Sequence, residues 1–256
     1  MPITGKRVSG GARRLVKAMF TLILDGKLAT ACTMSEALKE LEPLQRLIVA
    51  YARSADRNRY ALLFALDARL ADVVRSTSEI LIGQMRLTWW RDILTKPAAE
   101  RPGGEPLVEQ ITLLEDRGES LAPLLGLLDG WEVMLDDFPW DDRQFHNYAT
   151  ARGYGFFKFG LRGAKSLTEG QAELARAWAL WDFARHCSDA GMRLSAFDRC
   201  IETLKSEPRG DFDRSGRPLS ILCSLMTRDV RKGQLAADLY STASAARIIW
   251  HGIAGR

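Results

Sequence analysis

From Met34 onward, apolar residues recur three and four positions apart, and no segment sustains an apolar–polar alternation. That spacing lines apolar side chains along one face of an α-helix. It predicts helices at about 35–54, 56–77, 78–95, 106–117, 119–136, 141–164, 168–206, 217–231 and 233–253, with Ser35 as a candidate N-cap for the first. The stretches TKPAAERPGGEP (95–106) and EPRGDFDRSGRP (207–218) carry the Pro and Gly that stop helices. No repeat or low-complexity tract interrupts the pattern. The prediction is one all-α domain over residues 34–256, preceded by a separate leader, 1–33.

One stretch is richer in chemistry than its neighbours: QMRLTWWRDIL, 84–94. On a helix, Met85, Trp89 and Ile93 form one row, and Arg86, Trp90 and Leu94 form the next. The two rows predict an apolar stripe facing the core, with Arg86 lying against Trp90 as a cation–π pair. Arg91 and Asp92 fall on the opposite side.

Charge separates the leader from the body. The net charge of +4 arises in residues 1–33, which hold Lys6, Arg7, Arg13, Arg14, Lys17 and Lys27 against Asp25 alone. The remaining residues carry 30 basic and 31 acidic side chains. A neutral body offers no electrostatic footprint for nucleic acid. No apolar run reaches the ~20 residues of a membrane span. AMFTLIL (18–24) follows basic residues as in a signal peptide, but Asp25 and Lys27 interrupt it. The leader therefore reads as a disordered extension or the product of an upstream start codon. Cys32, Cys187, Cys200 and Cys223 show no CxxC pairing, and the three histidines do not join them at zinc-ligand spacing. Reduced thiols and a cytoplasmic location are the expectation.

RYALLFALDARLADVV (59–74) followed by SEILIGQMRLTWWRDIL (78–94) resembles the squalene/phytoene synthase family, whose members carry an aromatic Arg-Leu-x-Trp-Trp helix at this place. GWEVMLDD (130–137), YATARGYGFFKFG (148–160), AWALWDFARH (177–186) and GRPLSILCSLMTRDVR (216–231) are similar to further family segments, in the same order. The resemblance covers roughly 45–253. It implies an isoprenoid-synthase-like helical bundle with a central cavity. Family enzymes join two prenyl diphosphates using Mg²⁺ held by two acid-rich helical motifs, because a hard cation takes carboxylate oxygens.

This sequence departs from both motifs. Alignment through Phe64-Ala65-Leu66 places the family's first acids on Ala71 and Asp72 and the later one on Arg75. Asp67 is five residues from Asp72, about 140° round a helix, so the two carboxylates diverge. In the second motif Arg185 matches, but the acids fall on His186 and Ala190. Asp182 and Asp189 remain, about 10 Å apart along a continuous helix. With Arg185 and His186 they would form a charge-compensated row. It reads as a salt-bridge cluster or, if it faces the cavity, as a head-group site with His186 titrating near neutrality. The catalytic candidates are thus Asp72, Asp182 and Asp189, and no resident metal is expected.

Trp89, Trp90, Tyr154, Phe157, Arg185 and His186 are candidates for lining a substrate or lipid cavity. Arg57, Arg59 and Lys158 are candidates for a diphosphate. The glycines of 148–160 suit either a lipid cavity or close helix packing. Two functions follow from the resemblance. One is a family member that has lost Mg²⁺-dependent condensation and binds an isoprenoid or other lipid, or a protein partner at the membrane. A mitochondrial family branch with depleted acids assembles respiratory complex I in this way, which would place the protein at the periphery of the inner membrane and make the leader a presequence or membrane contact. The alternative is an active head-to-head prenyl-diphosphate transferase with a rebuilt site, requiring Mg²⁺ and convergence of Asp72, Asp182 and Asp189. A surface binder working through the leader is a third, weaker reading.

Overall fold

The computed structural model describes residues 41–77, 79–162 and 166–236. These form an all-α bundle of nine α-helices: α1 (Pro43–Ala50), α2 (Arg57–Arg75), α3 (Ile80–Thr95), α4 (Pro106–Asp116), α5 (Ala122–Val133), α6 (Asp142–Gly160), α7 (Glu169–His186), α8 (Ala190–Leu204) and α9 (Arg217–Lys232). Proline stands in the first turn of α1, α4, α5 and α9, where its missing N–H removes no intrahelical bond. Reciprocal capping boxes start α6 (Asp141 with Gln144) and α7 (Thr168 with Gln171). Gly233, at φ +64°, ends α9. No described helix is long and apolar enough to cross a membrane.

α6 is the axle. α5 packs antiparallel on one side of it and α7 antiparallel on the other, and these are among its most extensive helix–helix contacts. α2 crosses α6 in the reverse direction, with Tyr60 near Gly160 and Phe64 edge-on to Phe156 at 5.3 Å. Two glycines make the close approach. A Cβ on Gly155 would lie 2.3 Å from the Leu127 nitrogen of α5, and one on Gly153 would lie 2.3 Å from the Ala175 carbonyl oxygen of α7. Nothing but hydrogen fits at either point. The glycines of YATARGYGFFKFG therefore serve helix packing. The neighbouring rings fill the space: Phe156 meets Trp178 at 4.2 Å, and Trp140 meets Phe145, Tyr148 and Phe183 at 5.5, 5.4 and 5.1 Å.

Three local expectations are corrected. The single helix at 168–206 is two: α7 ends at His186, Cys187 and Asp189 are extended, and the Asp189 carboxylate accepts from the Met192 N–H (2.8 Å) to start α8. A capping acid at the break outweighs the unbroken apolar period. The first helix is shorter than 35–54: it starts at Pro43, and Ser54–Asp56 forms a 3₁₀ turn. Residues 35–40, with the candidate cap Ser35, lie outside the described residues, as does the predicted helix beyond 236. The stripe on α3 also divides. Leu87, Trp90, Ile93 and Leu94 are buried, whereas Met85 and Trp89 are exposed. α3 packs on α2 and α5, so among the described residues only the face toward them is covered. Arg86 reaches Ser76 and Thr77, each at 3.3 Å, rather than stacking on Trp90.

The glycine contacts are testable. Gly153→Ala is expected to cost about 1–3 kcal/mol through overpacking, measured by urea denaturation. Gly103→Ala, with open space around its Cβ position, is the control expected to leave stability unchanged.

Candidate functional site

Arg152 stands in the middle of α6, fully buried, with its guanidinium aimed between α2 and α7. Its Nε and one Nη donate to both carboxylate oxygens of Asp67 on α2, at 3.1 and 2.7 Å. The same Nη donates to Asp182 on α7 at 2.7 Å, and the other Nη donates to the Tyr148 hydroxyl at 3.0 Å. Two indoles sandwich the cation: Trp131 from α5 at 4.7 Å and Trp178 from α7 at 4.8 Å. The Trp131 indole N–H also donates to Asp67 at 2.7 Å. Bidentate geometry, cation–π contact and burial together make this the most tightly specified polar group of the bundle.

The cluster is electrically balanced. Burial opposes ionisation of Asp182, but the Arg152 guanidinium and the His186 ring hold its carboxyl well below the ordinary range. Asp182 in turn raises His186 to about 9. The imidazole Nδ1 lies 2.8 Å from the Asp182 carbonyl oxygen and 3.5 Å from its carboxylate. Two carboxylates, a guanidinium and a protonated imidazole sum to zero charge. Burial pushes the Tyr148 phenol upward, keeping it a neutral acceptor for Arg152.

The predicted site residues go to separate places. Asp72 is more than half exposed and pairs with Arg75 on the outside of α2. Asp182 belongs to the Arg152 cluster, and Asp189 caps α8. The expected row of Asp182, Arg185, His186 and Asp189 keeps only its Asp182–His186 contact. Arg185 turns to α9, lying 3.7 Å from buried Asp229, 5.2 Å over Trp181, and donating to the Ala236 carbonyl at 2.9 Å. The row fails because α7 ends before Asp189. Arg59 is buried between Asp56 (3.1 Å) and Glu119 (2.7 Å), so both its charged edges are occupied. Arg57 is exposed at the head of α2. Lys158 lies over the Tyr154 ring at 5.7 Å. Phe157 is buried against Trp178 and Phe212. Trp90 is buried with half-exposed Trp89 edge-on at 4.9 Å. Among the described residues, no three His, Cys, Asp or Glu side chains are grouped to hold a metal ion.

Arg152 itself escaped sequence reasoning. The available signal was the one arginine of the glycine- and aromatic-rich segment YATARGYGFFKFG, four residues after Tyr148, where a buried cation demands a buried acid. Asp229 escaped likewise. It is fully buried and accepts from the Trp181 indole N–H (3.0 Å), from Arg228 (2.8 Å) and from the Ala236 N–H (3.2 Å).

No family model matches this chain, and no curated protein matches its sequence.

Two outcomes follow from the cluster. Arg152→Met strands two carboxylates and is expected to cost about 3–5 kcal/mol, read by urea denaturation. For pH, the signs differ between the partners. Asp182 is depressed on folding, so its contribution is present above its unfolded value and is lost on acidification. His186 is raised, so its contribution is present below its unfolded value near 6.5 and is lost as pH climbs through about 9. The ring is largely exposed, and solvent screening keeps that alkaline loss small. A proton NMR titration is expected to place the His186 midpoint well above 6.5, and Asp182→Asn is expected to bring it back toward that value.

Proposed function

We propose that the protein is a squalene/phytoene-synthase-like bundle that has given up Mg²⁺-dependent condensation and works as a binding scaffold for a lipid or a protein partner. The observation that supports this most is the commitment of the interior carboxylates. Asp67 and Asp182 stand on α2 and α7, the helices on which the resemblance sets the two acid motifs. Both are bonded to Arg152. An internal guanidinium occupies Asp182, the candidate metal ligand that lies inside the bundle, and Asp67 beside it. Recruiting them for Mg²⁺ would leave Arg152 buried without its partners, a cost of several kcal/mol.

The transferase alternative needs Asp72, Asp182 and Asp189 at one diphosphate position. Their three separate tasks, an exterior ion pair, the Arg152 cluster and a helix cap, speak against it. Among scaffold roles, assembly of a membrane-bound respiratory complex is the one the resemblance suggests.

The test is turnover. The purified full chain is incubated with farnesyl or geranylgeranyl diphosphate and Mg²⁺, following pyrophosphate and hydrocarbon product. The expected result is no release above the protein-free control, for the parent and for Asp72→Ala alike. Release that disappears in Asp72→Ala overturns the scaffold reading.

A further inference from the structure

Five of the eight large apolar side chains exposed among the described residues stand on α3. Leu81, Met85 and Trp89 follow each other at i, i+4 and i+8, so they form one row, with Ile82 beside it. Leu81 is 67% exposed and Met85 65%. Scattered apolar residues on a surface are ordinary, but a contiguous row of large ones marks an interaction site.

The next row of the same helix, Ile80, Gln84 and Thr88, forms one wall of an open groove of about 500 Å³. The opposite wall is Glu132, Leu135, Asp136 and Asp137, at the end of α5 and in the turn that follows. Asp129 adds a fourth acid one turn before Glu132. Arg91 bonds Asp129 (2.7 Å) and Glu132 (2.8 Å), and Asp136 accepts from the neutral Gln144 amide. Four carboxylates against one guanidinium leave this edge negative. Elsewhere around α3, Asp92 pairs with Lys96 and Asp72 with Arg75, and Arg86, on the other edge of the row, bonds the Ser76 and Thr77 hydroxyls.

An apolar row with one acidic edge selects its occupant. A second copy paired antiparallel through α3 about a two-fold axis would set acidic edge beside acidic edge. An anionic bilayer would meet the same repulsion. A basic amphipathic helix satisfies both features, with apolar side chains on the Leu81–Met85–Trp89 row and cations along Glu132, Asp136 and Asp137.

We propose that this face of α3 is a docking groove for a basic amphipathic helix of a protein partner. The proposal rests on the scaffold reading and narrows it to a protein ligand of defined charge. The probe is a fluorescent 18-residue peptide of leucine and lysine patterned as an amphipathic helix, with a leucine–glutamate peptide as its counterpart. Anisotropy is followed against the full chain at low and high salt. The Leu/Lys peptide is expected to bind, more weakly at high salt, while the Leu/Glu peptide does not.

The double variant Leu81→Ser/Met85→Ser is expected to weaken binding about tenfold or more. These positions are exposed, so the variant retains the parent's thermal melt. Asp136→Asn/Asp137→Asn is expected to weaken binding and flatten its salt dependence. Equal binding of both peptides, or unchanged binding in both variants, overturns the proposal. So does a dimer by light scattering, or attachment to phosphatidylglycerol vesicles, that Leu81→Ser/Met85→Ser abolishes. Prenyl-diphosphate turnover is read separately: activity there ends the scaffold reading, whereas failure of the peptide to bind ends this proposal alone.

Discussion

The bundle depends on one buried cation. A guanidinium cannot be left unpaired in an interior, because the desolvation cost is several kcal/mol. Arg152 therefore dictates what surrounds it: Asp67 from α2, Asp182 from α7, Tyr148 from its own helix, and indole faces from α5 and α7. Four helices are fixed in register by a single side chain. Gly153 follows from the same constraint, since α6 must approach α7 closely for Asp182 to reach the guanidinium, and Gly155 allows the matching approach to α5 that carries Trp131.

The same device recurs at lower stakes. Arg59 ties the start of α2 to Glu119 before α5, with Asp56 beneath it. Asp229 ties α9 to Trp181 and to Arg185 at the end of α7. In each group, hydrogen bonds satisfy a charge that burial would otherwise penalise. The polar atoms of the interior thus hold helices together. The exposed apolar row of the described residues lies elsewhere, on α3.

Much of the architecture was legible because long helices leave a strong period. α2, α3 and α6 stand close to where the spacing of apolar residues put them, and both Pro/Gly loops separate helices. The break between α7 and α8 was harder to see. It depends on one capping aspartate, Asp189, inside an otherwise unbroken apolar rhythm. The two faces of α3 were not separable at all. Met85 and Trp89 are as apolar as Leu87 and Trp90, and the positions of α2 and α5 decide which pair is covered. The candidate site was half legible. Asp182 and His186 were singled out, and they do touch. Their partner Arg152 lies thirty residues earlier in the chain, and no local pattern connects the two positions.

The most direct test of Arg152 as an internal counter-ion is a stability comparison between Arg152→Met and the triple variant Arg152→Met/Asp67→Asn/Asp182→Asn, by urea denaturation at neutral pH. If the carboxylates are there to neutralise Arg152, removing their charge in the triple variant restores most of the stability lost in the single one. A triple variant no more stable than Arg152→Met would show that Asp67 and Asp182 are held for some purpose other than pairing with that guanidinium.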